Sequence, residues 1–422
     1  MTNIRTLGAV AALAFAARGA AAQQPSGSAA AFGMAGNYLA LATGSDAVAW
    51  NPAMLGMNSP AFSLSLAAVG GVAGLDPVKL KDITDFGGKV IPPATKEAWL
   101  QRIGTGTEHG SVDGGLSLIA LSFGRIGLQV GASATATSNL NQDAAEAILY
   151  GNAGRTGTAK NLSFNGSNVG GSSFVTGAAS IAIPLPFAPT GRPGEQVSLG
   201  VTGKYIGGLA VGRAQDNGSL VTPDKIAVSF PAIYTDSAHI GNSGSGVGID
   251  LGLAWTDGAT TIGATARNVV NTFAWSTTAI RSTLGTVSFD GNTSKTDFSG
   301  APYASAPASM RAALEAEKFK PEIAAGFAHR MDRLTIAADA STRIGDGIEI
   351  GSKAHVGVGA ELRIIPLLPL RGGVAALSDG YQIAGGAGLK LGAIEVLQFG
   401  VSMRSKKNGT EYGGMVTIFA IH

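Results

Sequence analysis

A transmembrane antiparallel β-barrel of about 14 strands, an all-β fold, is what this sequence predicts, and three observations carry it. Segments of about ten residues alternate apolar with small or polar side chains. The connections between them alternate between tight turns and long loops. Composition is wrong for a water-soluble globule: 14% of the 422 residues are charged and 62 are glycine, against roughly a quarter charged and about 7% glycine in average proteins.

The chain opens MTNIRTLGAVAALAFAARGAAAQQ. Arg5 supplies a positive start, Leu7 to Ala17 an apolar run, and Ala20-Ala21-Ala22 a small-residue cleavage site before Gln23. Residues 1–22 therefore read as a secretory signal peptide, too short to span a bilayer. Past it, no run reaches the roughly 18 uncharged apolar residues that a membrane helix needs. The absence of cysteine removes disulfides, thiolate metal sites and cysteine nucleophiles. A net charge of only +2 gives no attraction for a nucleic-acid backbone.

Period-two alternation places strands near 62–71, 114–123, 126–137, 172–183, 196–207, 246–256 and 260–271. The second half follows with 322–331, 333–342, 353–364, 367–377, 381–391, 394–404 and 411–421. In HVGVGAELRI, Val356, Val358, Ala360, Leu362 and Ile364 share one face, with His355, Glu361 and Arg363 on the other. In IDLGLAW, Ile249, Leu251, Leu253 and Trp255 oppose Asp250, Gly252 and Ala254.

Connections at Gly124, Asp257, Asp332, Pro366 and Gly392 are tight, whereas residues 72–113, 138–171, 208–245 and 272–321 are long. Outer-membrane barrels sort their connections this way, short toward the periplasm and long outside. Closure also removes the unpaired edges that an open apolar sheet would present to lipid. Within the first long loop, residues 76–86 and 92–103 suggest two short helices, the second opened by Pro92 and Pro93, with Ala98, Leu100 and Ile103 grouped on one face. A third is expected at PASMRAALEAEKF from Pro307.

Ahead of the first strand stands AFGMAGNYLALATGSDAVAWNPAMLG, residues 31–56. Pro52 donates no backbone hydrogen and holds Asn51 extended. Asn51 can then bond neighbouring backbone groups and lock a turn, and Trp50 can fill a gap if its indole hydrogen finds an acceptor. This stretch resembles the N-terminal region of FadL-like and PorV-like outer-membrane barrels, with Asp46, Trp50, Asn51, Pro52 and Ala53 at the matching positions. The resemblance implies an N-terminal plug, residues 23–60, inside the lumen of a barrel spanning 61–422. It also implies uptake of hydrophobic molecules and their release through plug movement and a lateral opening or, on the PorV-like side, an accessory role with components of protein secretion; a structural outer-membrane barrel without transport is the remaining alternative.

By alternation, Lys204, Asp250, Arg267, Asp339, Glu361, Arg363 and Lys390 point away from lipid, since a charge on the lipid face costs on the order of 2 to 4 kcal/mol. Their mixed signs suggest pairing across the lumen or to the plug. The five histidines lack metal-ligand spacing, and no Gly-x-Ser-x-Gly nucleophile sequence occurs. The glycine run at Gly385 lies within an alternating strand and not between strand and helix, so it is no nucleotide loop. The expectation is an integral protein of a Gram-negative-type outer membrane: not an enzyme, requiring no cofactor and no metal, with lipid and small hydrophobic molecules as partners.

Overall fold

The computed structural model describes residues 28–57, 59–151, 155–158, 160–222, 225–289, 293–348, 350–407 and 409–421. The expected signal peptide, 1–22, lies outside them, as do residues 23–27 and Asn58 of the expected plug.

Fourteen long strands form the wall. They are β1 (Phe62–Asp76), β2 (Thr107–Phe123), β3 (Ile126–Asn141), β4 (Asn168–Leu185), β5 (Gln196–Gln215), β6 (Gly244–Thr256) and β7 (Thr260–Asn271). The circuit continues with β8 (Glu322–Arg330), β9 (Leu334–Arg343), β10 (Ala354–Ile365), β11 (Leu368–Leu377), β12 (Gly380–Leu391), β13 (Ile394–Lys406) and β14 (Gly409–Ile421). Each pairs antiparallel with its chain neighbours, and β14 returns to β1 with Val416 opposite Val69. The sheet is therefore closed, and its backbone hydrogen bonds leave no edge to lipid.

Side chains sort as alternation requires. On β10, Val356 and Val358 are 61% and 55% exposed, while His355 and Glu361 on the opposite face are buried. On β6, Leu251 and Leu253 are exposed and Asp250 is buried. Such an exterior is stable only against hydrocarbon, so this is a membrane-spanning barrel of the outer-membrane type.

Aromatic residues mark both borders of the apolar band. At the tight-turn end Phe62 packs on Phe123 with ring centroids 5.1 Å apart, and the Trp255 indole donates to Glu195 at 2.6 Å. Exposed Tyr205, Tyr381 and Tyr412 lie higher on β5, β12 and β14. About ten residues separate the two levels. At about 3.3 Å per residue and a tilt near 40°, that spans roughly 25 Å, the height of the apolar band in such barrels.

One expectation is corrected. Strands β1 to β5 run 15 to 20 residues, well beyond the limits read from sequence on the long-loop side. Above the membrane a strand needs no lipid face, so pairing continues through Ser- and Thr-rich stretches such as Ser133–Asn141 after apolar alternation has stopped. Strands β8 to β12 have only 9 to 12 residues. The long-loop end is thus high along β1 to β5 and low along β8 to β12, where only Ser378 and Asp379 join β11 to β12.

Among the described residues, six helices position the inner segment and the loops: α1 (Ala29–Gly33) and α2 (Ala47–Trp50) within the barrel, and α3 (Leu80–Thr84), α4 (Pro93–Ile103), α5 (Gln142–Tyr150) and α6 (Ala308–Glu315) in the long loops. Pro92 caps α4 and Pro93 is its first residue. Its packed face is Trp99, Leu100 and Ile103, while Ala98 is exposed, a correction to the expected grouping. Helix α5 has no counterpart in the sequence reading. Over β4 and β5, Phe174, Phe273, Trp275 and Phe319 interlock with centroids 5.0 to 5.4 Å apart. No helix among the described residues is long and apolar enough to cross a membrane.

Candidate functional site

Residues 28–57 are almost entirely buried and touch the inner faces of strands around the barrel, in its tight-turn half. Helix α1 starts at Ser28, whose Oγ accepts from Ala31 N at 3.4 Å and donates to Asp46 at 3.1 Å. Its next free N–H groups are taken up by the wall: Ala29 N donates to Thr417 Oγ1 on β14 and Ala30 N to Gln398 Oε1 on β13, both at 3.1 Å. These bonds meet the unsatisfied donors that every helix start carries.

A reversal follows at Ala35 and Gly36, both with positive φ. Beyond it, Asp339 on β9 accepts from Tyr38 N at 2.6 Å and Leu39 N at 2.8 Å. The segment then passes Ser45, whose N–H donates to Ser63 Oγ on β1 at 3.1 Å, and climbs α2 to Trp50. Asn51 is extended (φ −155°) and wholly buried. Its Oδ1 accepts from Ala53 N at 3.1 Å, and its Nδ2 donates to Leu253 O of β6 at 3.2 Å. Pro52, lacking an N–H, opens the short 3-10 turn Pro52–Gly56, which leads toward β1. Asn51 therefore ties a local turn to the wall.

Room for this contact comes from missing side chains. A Cβ on Gly252 would collide with Asn51 Oδ1 and lie 3.0 Å from Ala53 N. A Cβ on Gly200 of β5 would lie 2.7 Å from Ala53 Cα, and one on Gly373 of β11 would strike the Met34 carbonyl. The inner segment lies backbone against backbone on the wall.

The seven charges singled out in the sequence separate into groups. Lys204 and Asp250 pair at 2.7 Å, each side chain 7% exposed. Lys204 also donates to Asn268 Oδ1 at 2.8 Å, and Asn268 N donates to Asp250 at 2.7 Å. The cause is a bulge in β7, where Arg267, Asn268 and Val269 face the single residue Asp250 across the pair, with Asn268 at positive φ. Arg267 bonds Glu322 at 2.8 Å and donates to Trp50 O at 3.0 Å, joining this node to the inner segment. Asp339 is bound to the segment directly, as described.

Glu361 belongs to a second group. It accepts from Arg371 and Arg363, each at 2.7 Å, and Arg371 reaches on to Glu395 at 3.0 Å. Arg363 is half-exposed at the tight-turn rim, and Lys390 is partly exposed opposite Glu395 in register. Arg371, Glu395, Glu322, Gln398 and Thr417 were missed by the sequence reading. Alternation through Gly373 and Ala375 places Arg371 on the inner face, and the same count along β13 and β14 finds Gln398 and Thr417.

Trp50 stands between the two halves of the segment. Its ring meets Tyr38 edge-on at 5.8 Å, and the Arg267 guanidinium lies 5.8 Å from its centroid. Its indole N–H is buried with no acceptor among the described residues, contrary to the condition set for it as a gap filler. Instead of filling the gap, Trp50 borders a cavity of about 90 Å³ between inner segment and wall, together with Phe32, Leu39, Leu377 and Met415. A second cavity, about 60 Å³, lies against Val48 and Ala49 with Lys204, Arg343 and Phe319 on its other side. Among the described residues no cluster of acids and histidines could hold a metal.

No protein-family model matches the chain, and no curated protein matches its sequence. Solved structures do match its fold. The toluene transporter TodX of Pseudomonas putida is 12% identical, with 93% of this chain and 96% of that chain covered at a TM-score of 0.50. A TodX monoaromatic hydrocarbon channel with its S2 deleted gives 12% identity, 94% and 98% coverage and a TM-score of 0.50. A FadL homologue of Pseudomonas aeruginosa is 14% identical over 95% and 99% of the two chains, with a TM-score of 0.49. The chain has the fold of the FadL-type outer-membrane barrels. These comparisons give no support to the secretion-accessory expectation.

Proposed function

We propose that the chain is a passive outer-membrane channel for small hydrophobic molecules, with residues 28–57 as its plug. Solutes are captured among the long loops, enter a lumen closed by the plug, and leave sideways through the wall when the plug shifts. The observation that carries this reading is an inner segment held to the wall by a few side-chain hydrogen bonds, with an apolar-edged cavity of about 90 Å³ beside it. Neutral bonds of this kind contribute about 0.5 to 1.5 kcal/mol each, and the two to the Asp339 carboxylate about 1.5 to 3, while the wall keeps its own strand pairing, so the segment can shift without unfolding the barrel. Apolar solutes gain roughly 25 cal/mol per Å² on leaving water, which supplies the motive force without any covalent step or cofactor. The similarly folded TodX barrels, a toluene transporter and a monoaromatic hydrocarbon channel, agree with that choice of solute.

The test is initial uptake of labelled toluene by cells with an intact outer membrane, with and without the chain. Faster uptake with the chain, at toluene levels low enough to be limiting, is expected. Equal rates would remove the channel reading.

A further inference from the structure

Phe319 bridges the long-loop end of the barrel. It stands just before β8, yet its ring meets Phe174 of β4 at 5.0 Å and Phe273, just beyond β7, at 5.4 Å. The residues that carry it, 316–321, join α6 to β8 and belong to no strand. Ile348 and Ile350 of the β9–β10 loop complete the cover, and Ile348 N donates to Lys318 O at 3.0 Å. Gly347 lets the two segments close, since a Cβ there would strike that same carbonyl. Beneath lies the cavity of about 60 Å³ that Val48 and Ala49 of the plug border from below. Phe174 and Phe273 are fully buried, whereas Phe319 is only partly so.

One acidic residue fastens this cover. Glu317, its side chain 10% exposed, accepts from the Trp275 indole at 3.1 Å and pairs with Arg213 of β5. Trp275 is itself seated on the wall against Gly208 of β5, where a Cβ would collide with its ring. Withdrawing an ion pair from water costs nearly what the contact returns, so a permanently shut cap gains little from one. When the segment lifts, both charges rehydrate, and the closed and open forms stay close in energy. We propose that residues 316–321 are a strap that closes the lumen from the long-loop side, latched by Glu317 and lifting to admit solute, a gate in series with the plug. Phe319 leaves with the strap and the cavity above the plug opens outward. The wall keeps its pairing, because no strap residue takes part in it. The proposal rests on the channel reading, since it states how solute reaches the plug.

Thiol labelling tests the gate without transport. In the full barrel in detergent, Ser133→Cys puts a lone thiol on the lining of the covered cavity, and its reaction with N-ethylmaleimide is timed with and without Glu317→Gln. The amide keeps an acceptor for the indole and loses the charge facing Arg213. Labelling is expected to quicken about 10-fold, the loss of one charge-assisted bond, while Ser341→Cys, beside the other cavity, keeps its rate. An unchanged rate at 133, or an equal rise at 341, overturns the gate. Arg213→Cys with Glu317→Cys then sets two thiols in place of the latch, and a short bis-methanethiosulfonate bridge, verified by mass, locks it. Toluene uptake by cells carrying this variant should fall on bridging to that of cells lacking the chain and return with reductant. Uptake that persists in the bridged form overturns the gate and leaves the channel. Faster labelling of Ser133→Cys, with equal uptake by cells with and without the chain, keeps the gate and removes the channel.

Discussion

A single methyl group at Gly252 tests whether the plug is seated by the wall. The added Cβ would lie 3.0 Å from Ala53 N and 3.0 Å from Pro52 Cδ, and closer still to Asn51 Oδ1. Ordinary contacts need about half an ångström more, so either β6 or the Asn51 turn must give. The wall is paired on both sides of β6; the turn is held by two hydrogen bonds of 3.1 and 3.2 Å. The turn yields. Overpacking costs about 1 to 3 kcal/mol, and the two bonds contribute about 0.5 to 1.5 kcal/mol each. Together Gly252→Ala should disfavour the seated plug by about 2 to 6 kcal/mol, a shift of roughly 30-fold or more in its population. Gly203→Ala on β5 is the control, because nothing lies within 4 Å of its added carbon. The assay is chymotrypsin cleavage at Tyr38 and Trp50 in the folded barrel, whose rate follows the open population when closing is fast. Cleavage should rise at least 10-fold in Gly252→Ala and not in Gly203→Ala. Equal protection of Gly252→Ala and the unaltered protein would refute the seating argument.

Asn51→Ala should leave the buried Ala53 N–H unsatisfied, loosen the plug by about 1 to 3 kcal/mol and raise leakage of small sugars in liposome swelling; unchanged leakage with an unchanged melting temperature would count against Asn51 as a lock. Leu251→Arg places a charge in hydrocarbon at a cost of about 2 to 4 kcal/mol and should cut the yield of folded, heat-modifiable barrel on gels. Gly252→Arg should assemble better but displace the plug. Asp250→Asn strips the buried Lys204 of its counter-charge and should cost about 3 to 5 kcal/mol in thermal unfolding, most of it recovered when Lys204→Met is added.

The wall was legible because lipid imposes a rule on every second residue. Each of the fourteen strands shows in the alternation, down to Val356 and Val358 outward with Glu361 inward. What lipid does not touch was harder to read. The upper parts of β1 to β5 pair through Ser, Thr and Gly, which signal no strand by themselves. Helix α5 is announced only by Asn141, whose side chain accepts from Ala144 N at 2.8 Å, and by Asp143 in its first turn. Those two residues were available to a reader of the sequence. The bonds from Asp339 to Tyr38 and Leu39, some 300 residues away along the chain, were not. Inward orientation could be counted for Asp339, but its partner depends on where the inner segment crosses each strand.

The chain contains no cysteine, so one placed alone at a chosen site reports without interference. Spin labels at Leu199, Val201 and Thr202 of β5, in a bilayer, measure on one strand whether the wall faces hydrocarbon outside and a closed interior within. Leu199 and Val201 are exposed and Thr202 is wholly buried. Labels at 199 and 201 should relax strongly with oxygen and weakly with a water-soluble nickel chelate, and the label at 202 should lose the oxygen response. A chelate response at 199 and 201 equal to that of a loop residue would contradict the account at its foundation.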